Sequence, residues 1–269
     1  MITVNDIKPY QDTLWEGGDR KPYMDVLILA SCRGIALANY LLHYNEMQGG
    51  VRVTYIRASD YHTTADGQPQ DALQAIERLV KSERFAQVVK RTTHFIYEHH
   101  ENYGLLNTDG SSFGGLLHQL WQHKLYCADA IRHIPSWNNI FVLEDDIRSC
   151  LPWWNEAANV ISPVARQQLL EYTSGYFLWK FCANTRKTSY PQFADWFMAK
   201  YRTERLCWTH NHVTKAFTAE LFKRLNLDLL GLPLTERFWR EIEAMPDLYE
   251  NPHTNVTPLD KAVHGMTWE

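Results

Sequence analysis

The chain has 269 residues, of which 45% are hydrophobic and 22% are charged, values typical of a globular protein that can bury a sizeable core. Its formal net charge is −4 and its basic residues are scattered, so no global field attracts it to nucleic acid or to an anionic membrane. No segment approaches the roughly 20 apolar residues of a membrane span, and the first residues lack a signal-peptide pattern. We therefore expect a cytoplasmic protein with no membrane span and no nucleic-acid partner; the oligomeric state stays open.

The five cysteines are odd in number and widely spaced, and no two of them form a C-x-x-C pair. This pattern argues against a disulfide framework and against a four-cysteine zinc site. We expect free thiols and no resident metal. The cysteines are Cys32, Cys127, Cys150, Cys182 and Cys207.

Residues 1–22 are rich in Gly and Pro and are interpreted as a leading arm. Residues 23–269 are interpreted as a single α/β domain with a helical insertion around residues 155–202. The short apolar run at 26–30 predicts a buried parallel strand, and apolar residues at helical spacing predict a helix that ends before Gly49 and Gly50. The alternating segment at 51–56 predicts a second strand, which completes a right-handed βαβ unit.

The rest of the chain continues the alternation of strands and helices. This alternation predicts an α/β fold with a parallel sheet flanked by helices on both faces and a helix-rich aromatic insertion. The further predicted elements are a helix at 71–90, a strand at 93–97, a Ser/Gly-rich loop at 110–115, a helix through 117–131, a strand at 139–143, aromatic helices at 160–201, a short strand at 206–209, an amphipathic helix at 214–225 and irregular structure after Pro246.

Cys32 lies at the junction between the first predicted strand and the helix that follows it. Ligands of doubly wound sheets bind beyond the carboxyl ends of the strands, where a helix N-terminus favours a thiolate and its N–H groups can hold an oxyanion. Arg33 supplies positive charge and Gly34 permits close backbone approach. The alternative, a buried structural cysteine, is equally open on position alone.

The segment at 209–212, Thr-His-Asn-His, also follows a predicted strand and precedes a helix. We expect it at the carboxyl edge of the sheet as well. A nucleophilic cysteine needs a histidine within hydrogen-bond reach, and that histidine can be distant in sequence. The alternative is that His210 and His212 are ordinary edge or capping residues.

Together these two segments resemble the WcbI-type polysaccharide-biosynthesis acetyltransferases. Residues 25–42 resemble the family's strand–Gly-Asn-Cys-Gln–helix start, and residues 206–225 resemble its later Asn-His-Pro segment and the following helix. The chain departs from the family pattern at four positions, which are Ala30, Ser31, Arg33 and Val213.

The resemblance implies an SGNH-hydrolase-related, flavodoxin-like fold and acyl transfer from coenzyme A to a saccharide hydroxyl. Cys32 matches the family's cysteine and His212 its histidine, so these two are the expected catalytic residues. The residues expected to contact the substrate or the oxyanion are Ser31, Arg33, Gly34, His210 and Asn211.

Acidic and histidine residues elsewhere give weaker candidates. Asp145 and Asp146 follow a predicted strand, and their carboxylates could there either bind a metal ion or cap a helix. Asp260 and His264 loosely resemble the late Asp-x-x-His block of SGNH enzymes, with one extra residue between them, so His264 rivals His212 as the base. Cys207, with His210 and His212, is a zinc candidate that lacks a fourth ligand.

The leading hypothesis is therefore a CoA-dependent O-acyltransferase with acyl-CoA as donor, a small saccharide-like acceptor and no metal. A cysteine-dependent esterase, in which water replaces the acceptor, is the enzyme alternative. The alternative that is not an enzyme is a protein that binds sugar or nucleotide through its aromatic residues, and a structural role also remains open.

Overall fold

The computed structural model describes residues 14–31, 34–57, 79, 81–98, 128–136, 140–250 and 254–268. Three predicted segments therefore lie wholly or largely outside the described residues: the first part of the helix at 71–90, the loop at 110–115 and most of the helix at 117–131. The chain divides into two compact units, built from residues 1–134 with 222–245 and from residues 135–221 with 246–269.

The described strands and helices are numbered in chain order. The strands are β1 (Leu14–Gly18), β2 (Met24–Ala30), β3 (Val51–Arg57), β4 (His94–Glu98), β5 (Ile131–Ile134), β6 (Cys207–Thr209) and β7 (His212–Val213). The helices are α1 (Ile35–Gln48), α2 (Glu83–Arg91), α3 (Glu144–Cys150), α4 (Pro152–Val160), α5 (Pro163–Thr185), α6 (Phe193–Lys200), α7 (Lys215–Leu225), α8 (Glu236–Ala244) and α9 (Pro258–His264). A 3₁₀ turn at Ala128–Ala130 precedes β5, and a π-helical segment at Asn226–Leu230 follows α7.

The first unit contains a five-stranded sheet with the order β1-β3-β2-β4-β5. β2 pairs in parallel with β3 and β4, and β4 pairs in parallel with β5. β1 pairs antiparallel with β3, so the sheet is mixed. The predicted α/β class and the predicted strand–helix–strand unit near the N-terminus are confirmed.

β2 is the central strand, and all seven of its residues are buried. A strand with parallel neighbours on both sides has both faces covered, which explains its unbroken apolar run. α1 ends where Gly49 and Gly50 adopt φ angles of 73° and 84°, left-handed values that favour glycine. The chain can therefore turn at once into β3.

α1 packs against the helical residues that return to this unit late in the chain. The ring of Tyr40 meets that of Phe222 edge-on, with centroids 5.4 Å apart, and Tyr44 meets Phe238 in the same way at 6.4 Å. Phe238 and Ile242 are the buried residues of α8. This packing covers part of α1 and gives the first unit its own apolar core.

The second unit is mainly helical and aromatic, as predicted for residues 160–201. One cluster surrounds the fully buried Trp154, with Ile147 and Leu170 beside it. In another cluster the ring of Phe217 packs against Phe193, with centroids 4.8 Å apart. Among the described helices, none combines the length and apolar character needed to cross a membrane.

The strand predicted at 139–143 is wrong for its described part. Ile140 to Leu143 are buried but belong to no strand, and Ile140 donates one backbone hydrogen bond to the carbonyl of His210. A short apolar run shows that a segment is buried, but not whether its backbone pairs in a sheet. The acidic residues that follow begin α3 instead of ending a strand.

Three other expectations need correction. Ile131 begins β5 and does not end a helix. The segment after Pro246, predicted as irregular, contains α9, whose capping box joins Thr257 and Asp260. The predicted strand at 206–209 is present as β6, but it pairs with β7 in a separate hairpin and is not a strand of the five-stranded sheet.

Candidate functional site

The order of strands places a switch point between β2 and β4. After β2 the chain returns through α1 to β3 on one side, and after β4 it continues to β5 on the other side. In parallel α/β sheets, the carboxyl ends of two such strands form the crevice where ligands bind. In this chain those ends are Ala30 and Glu98.

Glu98 and Ser31 meet in this crevice. The backbone N–H of Ser31 donates to Glu98 Oε2 at 2.8 Å, and its hydroxyl donates to the same oxygen at 2.7 Å. Glu98 is completely buried and Ser31 is 4% exposed. The carboxylate therefore fixes the direction in which the chain leaves β2.

The chain then turns sharply into α1. The N–H of Gly34 donates to the carbonyl of Ser31 at 2.9 Å, and the same carbonyl accepts the hydroxyl of Tyr55. A Cβ atom on Gly34 would lie 2.5 Å from the Cβ of Ala30, so only glycine fits there without displacement. A tight strand-to-helix turn of this kind exposes the nucleophile in many hydrolases.

The two residues inside this turn are Cys32 and Arg33, and both lie outside the described residues. Their predicted roles stay predictions. Ser31 and Gly34, the described neighbours on either side, lie at the crevice. Sequence reasoning missed Glu98, although a carboxylate that ends a buried strand beside a chemically interesting turn was a usable signal.

A second cluster, in the other unit, brings together Asp146, Cys150 and His210. His210 Nδ1 lies 3.2 Å from Asp146 Oδ1 and 3.4 Å from Cys150 Sγ, and the sulfur lies 4.0 Å from the carboxylate oxygen. Asp146 and Cys150 are one turn apart on α3, and His210 lies between β6 and β7. Sequence reasoning named His210 and Asp146 separately and missed Cys150, because it did not predict the helix that aligns Asp146 with Cys150.

This cluster is held in place by its surroundings. The ring of His210 stacks on that of Phe141, with centroids 4.6 Å apart and planes 4° from parallel. Cys207 does not join the cluster, and burial, followed by the nearby Asp146 carboxylate, raises the pKa of its thiol. The zinc set predicted from Cys207, His210 and His212 therefore does not converge, since among the described residues His210 converges instead with Asp146 and Cys150.

The neighbours of His210 in the hairpin have other contacts. The amide oxygen of Asn211 accepts the hydroxyl of Thr209 at 2.8 Å. The ring of His212 stacks on that of Tyr249, with centroids 4.6 Å apart. The predicted catalytic role of His212 is not tested by these contacts and stays a prediction.

Of the weaker candidates, Asp260 joins two helices of the second unit, whereas Asp145 pairs within its own helix and His264 is buried. Asp145 lies 3.7 Å from Arg148. Asp260 accepts the backbone N–H groups of Glu144 and Thr257, each at 2.8 Å, and burial raises the pKa of its carboxyl despite these bonds. His264 is 6% exposed, and burial, with Arg202 adding to it, lowers the pKa of its ring.

A small apolar cavity of about 20 Å³, room for about one water molecule, also belongs to the second unit. Asp146 and Thr209 contribute polar groups to a wall that is otherwise mainly aliphatic and aromatic, including Leu206, Tyr201 and Trp208. A cavity of this size is too small for a sugar or a nucleotide, so it does not by itself support the non-catalytic binding alternative.

Comparison with known proteins gives one distant likeness. No protein-family model and no curated protein matches the chain. Among solved structures the chain is similar to WcbI, a polysaccharide biosynthesis enzyme described in its native form without a disulfide bond between coenzyme A and a cysteine. The TM-score is 0.44 and the identity 13%, over 80% of this chain and 71% of WcbI. WcbI is a member of the family that residues 25–42 and 206–225 resemble in sequence.

Proposed function

We propose that the protein is a cysteine-dependent acyltransferase that moves an acyl group from coenzyme A to a hydroxyl of a saccharide-like acceptor. The observation that carries this proposal is the tight turn from Ser31 to Gly34 at the switch point between β2 and β4, anchored by Glu98. Cys32 is the nucleophilic side chain that the sequence supplies to this turn. Its flanking residues are fixed by hydrogen bonds, as a catalytic turn requires.

The helix dipole at the start of α1 supports an anionic sulfur and acts against the nearby Glu98 carboxylate. The first turn of α1 contains no acidic residue that would oppose the positive end of the helix dipole. A thiol close to a helix N-terminus has a lowered pKa, and a thiolate is the reactive form. The phosphates of a coenzyme A donor benefit from the same field, to which Arg33 adds a positive charge.

The reaction proceeds in two balanced steps. The Cys32 thiolate adds to the thioester carbonyl of acyl-CoA, the carbon–sulfur bond to coenzyme A breaks, and the coenzyme A thiolate leaves and takes up a proton. The acceptor hydroxyl then loses its proton to a general base and attacks the acyl-cysteine, and the Cys32 thiolate is released. The N–H groups of Ser31 and Gly34 already donate within the turn, so we expect the other N–H groups at the start of α1 to stabilise the oxyanion in both steps. His212, with His264 as its rival, is the base that the sequence predicts.

The test is to incubate the protein with acetyl-CoA and follow both free coenzyme A and the mass of the Cys32 peptide. We expect an acetylated Cys32 peptide without acceptor, and faster coenzyme A release when saccharides are added. Cys32→Ala should lower this release by a factor on the order of 10³ or more, because the nucleophile is removed. Cys182→Ala is the matched control, since Cys182 is a buried thiol of α5.

Each of the other possible results would either contradict the proposal or favour one of the alternatives. Release that is unchanged in Cys32→Ala would contradict the proposal. Release that depends on Cys32 but not on any saccharide would favour the esterase, since water then takes the acyl group. Saccharide binding without any coenzyme A release would favour the non-catalytic binding protein.

A further inference from the structure

Asp146, Cys150 and His210 form, among the described residues, the one group whose potential metal-ligand atoms all lie within 4.8 Å of one another. The group offers a carboxylate oxygen, a sulfur and an imidazole nitrogen. It belongs to the second unit and takes no part in the proposed acyl transfer. We call it the Asp–Cys–His cluster.

Protons satisfy this cluster only weakly, because the Cys150 thiol lies 4.0 Å from the Asp146 carboxylate oxygen to which it can donate. Asp146 Oδ1 and Cys150 Sγ both approach the same ring nitrogen, Nδ1 of His210. A neutral imidazole nitrogen carries either one proton or one lone pair, so it bonds well to one of these neighbours and poorly to the other. A cation at the centre would accept an electron pair from all three atoms.

Two of the three distances are close to those around such a cation, and the sulfur-to-carboxylate distance is slightly too long. Zinc ligands lie about 2.0–2.3 Å from the metal, so at tetrahedral angles their atoms are about 3.3–3.7 Å apart. The three separations in the cluster are 3.2, 3.4 and 4.0 Å. We propose that Asp146, Cys150 and His210 bind one Zn²⁺ ion, with a fourth position open to water or another ligand.

The ligand types select the metal. Mg²⁺ and Ca²⁺ prefer sites built wholly from oxygen, and a carboxylate is a poor ligand for Cu(I). A mixed oxygen, sulfur and nitrogen set suits Zn²⁺. One carboxylate and one thiolate also balance the charge of the ion, which matters because the Asp146 side chain is only 7% exposed.

The ligands are positioned by different parts of the unit. Asp146 and Cys150 face the same side of α3 because they are four residues apart. The carbonyl of His210 accepts the backbone N–H of Ile140 at 2.8 Å, and its ring stacks on Phe141. The Ser149 hydroxyl donates to the backbone carbonyl of Asp146 at 3.0 Å and lies 3.6 Å from the Cys150 sulfur. Little reorganisation would be needed to take up the ion.

The first experiment is a titration of the metal-free protein with Co²⁺, a spectroscopic substitute for Zn²⁺, followed by competition with Zn²⁺. We expect one equivalent to bind with a thiolate-to-cobalt charge-transfer band. The band should disappear in Cys150→Ser and persist in Cys207→Ser. Asp146→Asn should weaken binding at least about 100-fold, because loss of a ligand costs more than loss of an outer contact. Asp145→Asn, which removes the same charge one residue away, should leave the affinity within about threefold.

The second experiment uses the unaltered protein, so it does not depend on the folding of any variant. Alkylation of each cysteine is followed by peptide mass spectrometry with and without Zn²⁺. We expect Zn²⁺ to slow the labelling of Cys150 at least about tenfold and to leave Cys182 unchanged. Equal labelling of Cys150 with and without Zn²⁺, or a cobalt band that is lost in Cys207→Ser but kept in Cys150→Ser, would overturn the proposal.

Discussion

The Glu98 carboxylate is completely buried and holds Ser31 by both its backbone N–H and its hydroxyl. Burying a carboxylate is costly unless such donors are supplied. The pair therefore joins the end of β4 to the residue that precedes Cys32. Substitutions of different severity at Glu98 can separate the effect of this contact on the turn from its effect on the stability of the fold.

Glu98→Ala should lower the free energy of unfolding by at least about 1–3 kcal/mol, because two buried donors of Ser31 lose their acceptor. It should also slow alkylation of Cys32, since the turn is no longer held. Glu98→Gln keeps an acceptor oxygen and should cost less on both measures. Denaturant unfolding and timed alkylation give the two readouts. Equal effects of Ala and Gln would contradict the role given to the hydrogen bonds.

A substitution at Gly34 tests how tightly the turn is packed against β2. Its backbone φ of −69° suits alanine, so any effect of Gly34→Ala comes from the contact of the new Cβ with Ala30. We expect a loss of about 1–3 kcal/mol, as for other overpacked sites. Gly175→Ala is the matched control, because a Cβ there meets nothing within 4 Å and should stabilise α5 by about 0.5–1 kcal/mol. Equal thermal stability of the two variants would contradict the crowding.

The turn around Cys32 was predictable from the sequence because a buried strand, a glycine and a helix are local patterns. The contacts of Glu98 and Cys150 were not predictable in this way. The first is brought to Ser31 by strand order, and the second is aligned with Asp146 by a helix that was not predicted. Contacts between residues 60 or more positions apart depend on tertiary packing, which local spacing does not specify.

At the scale of elements, α9 is joined to α3 through side chains. Asp260 caps its own helix at Thr257 and also accepts the N–H of Glu144 at the start of α3. Burial by itself would raise the pKa of the Glu144 carboxyl, but hydrogen bonds from Arg166 and then Arg148 outweigh it and lower the pKa. The Thr-Pro-Leu-Asp sequence at 257–260 was a usable capping signal for this helix.

The buried His264 of α9 predicts a pH dependence. Burial, with Arg202 adding to it, lowers the ring pKa below its usual value of about 6.5, so the unfolded chain takes up a proton before the folded one does. The contribution of neutral His264 to stability is therefore complete above about pH 6.5 and is lost as the pH falls through the folded pKa.

The measurement is denaturant unfolding between about pH 7.5 and pH 5, for the unaltered protein and for His264→Gln. Glutamine does not titrate, so the variant should lose less stability on acidification. NMR titration of the His264 ring provides an independent value of its pKa. Identical slopes of stability against pH in the two proteins would show that His264 does not contribute as stated.

The apolar runs of the chain show where element prediction succeeds and fails. The run at 26–30 becomes β2, whereas the run at 140–143 is equally buried and forms no strand. Both patterns report burial, and only the neighbours decide whether the backbone pairs. The residues of β6 were correctly predicted as a strand, but β6 pairs with β7 and not with the main sheet.

At the scale of the whole molecule, the strand order gives the proposed function its location. Alternating elements predicted the α/β class from the sequence, but the antiparallel β1 and the position of β4 beside β2 depend on long-range pairing. That pairing brings Glu98 to the crevice beside Ser31. The proposed function requires that the cysteine within this turn is a reactive thiolate at a coenzyme A site.

The most direct measurement is the rate of Cys32 alkylation against pH, with and without coenzyme A, read by peptide mass spectrometry. We expect fast labelling at neutral pH that coenzyme A suppresses, with slow labelling of buried Cys182 that coenzyme A does not change. Labelling of Cys32 that is as slow as that of Cys182 and indifferent to coenzyme A would show that Cys32 is not a reactive thiolate at a coenzyme A site.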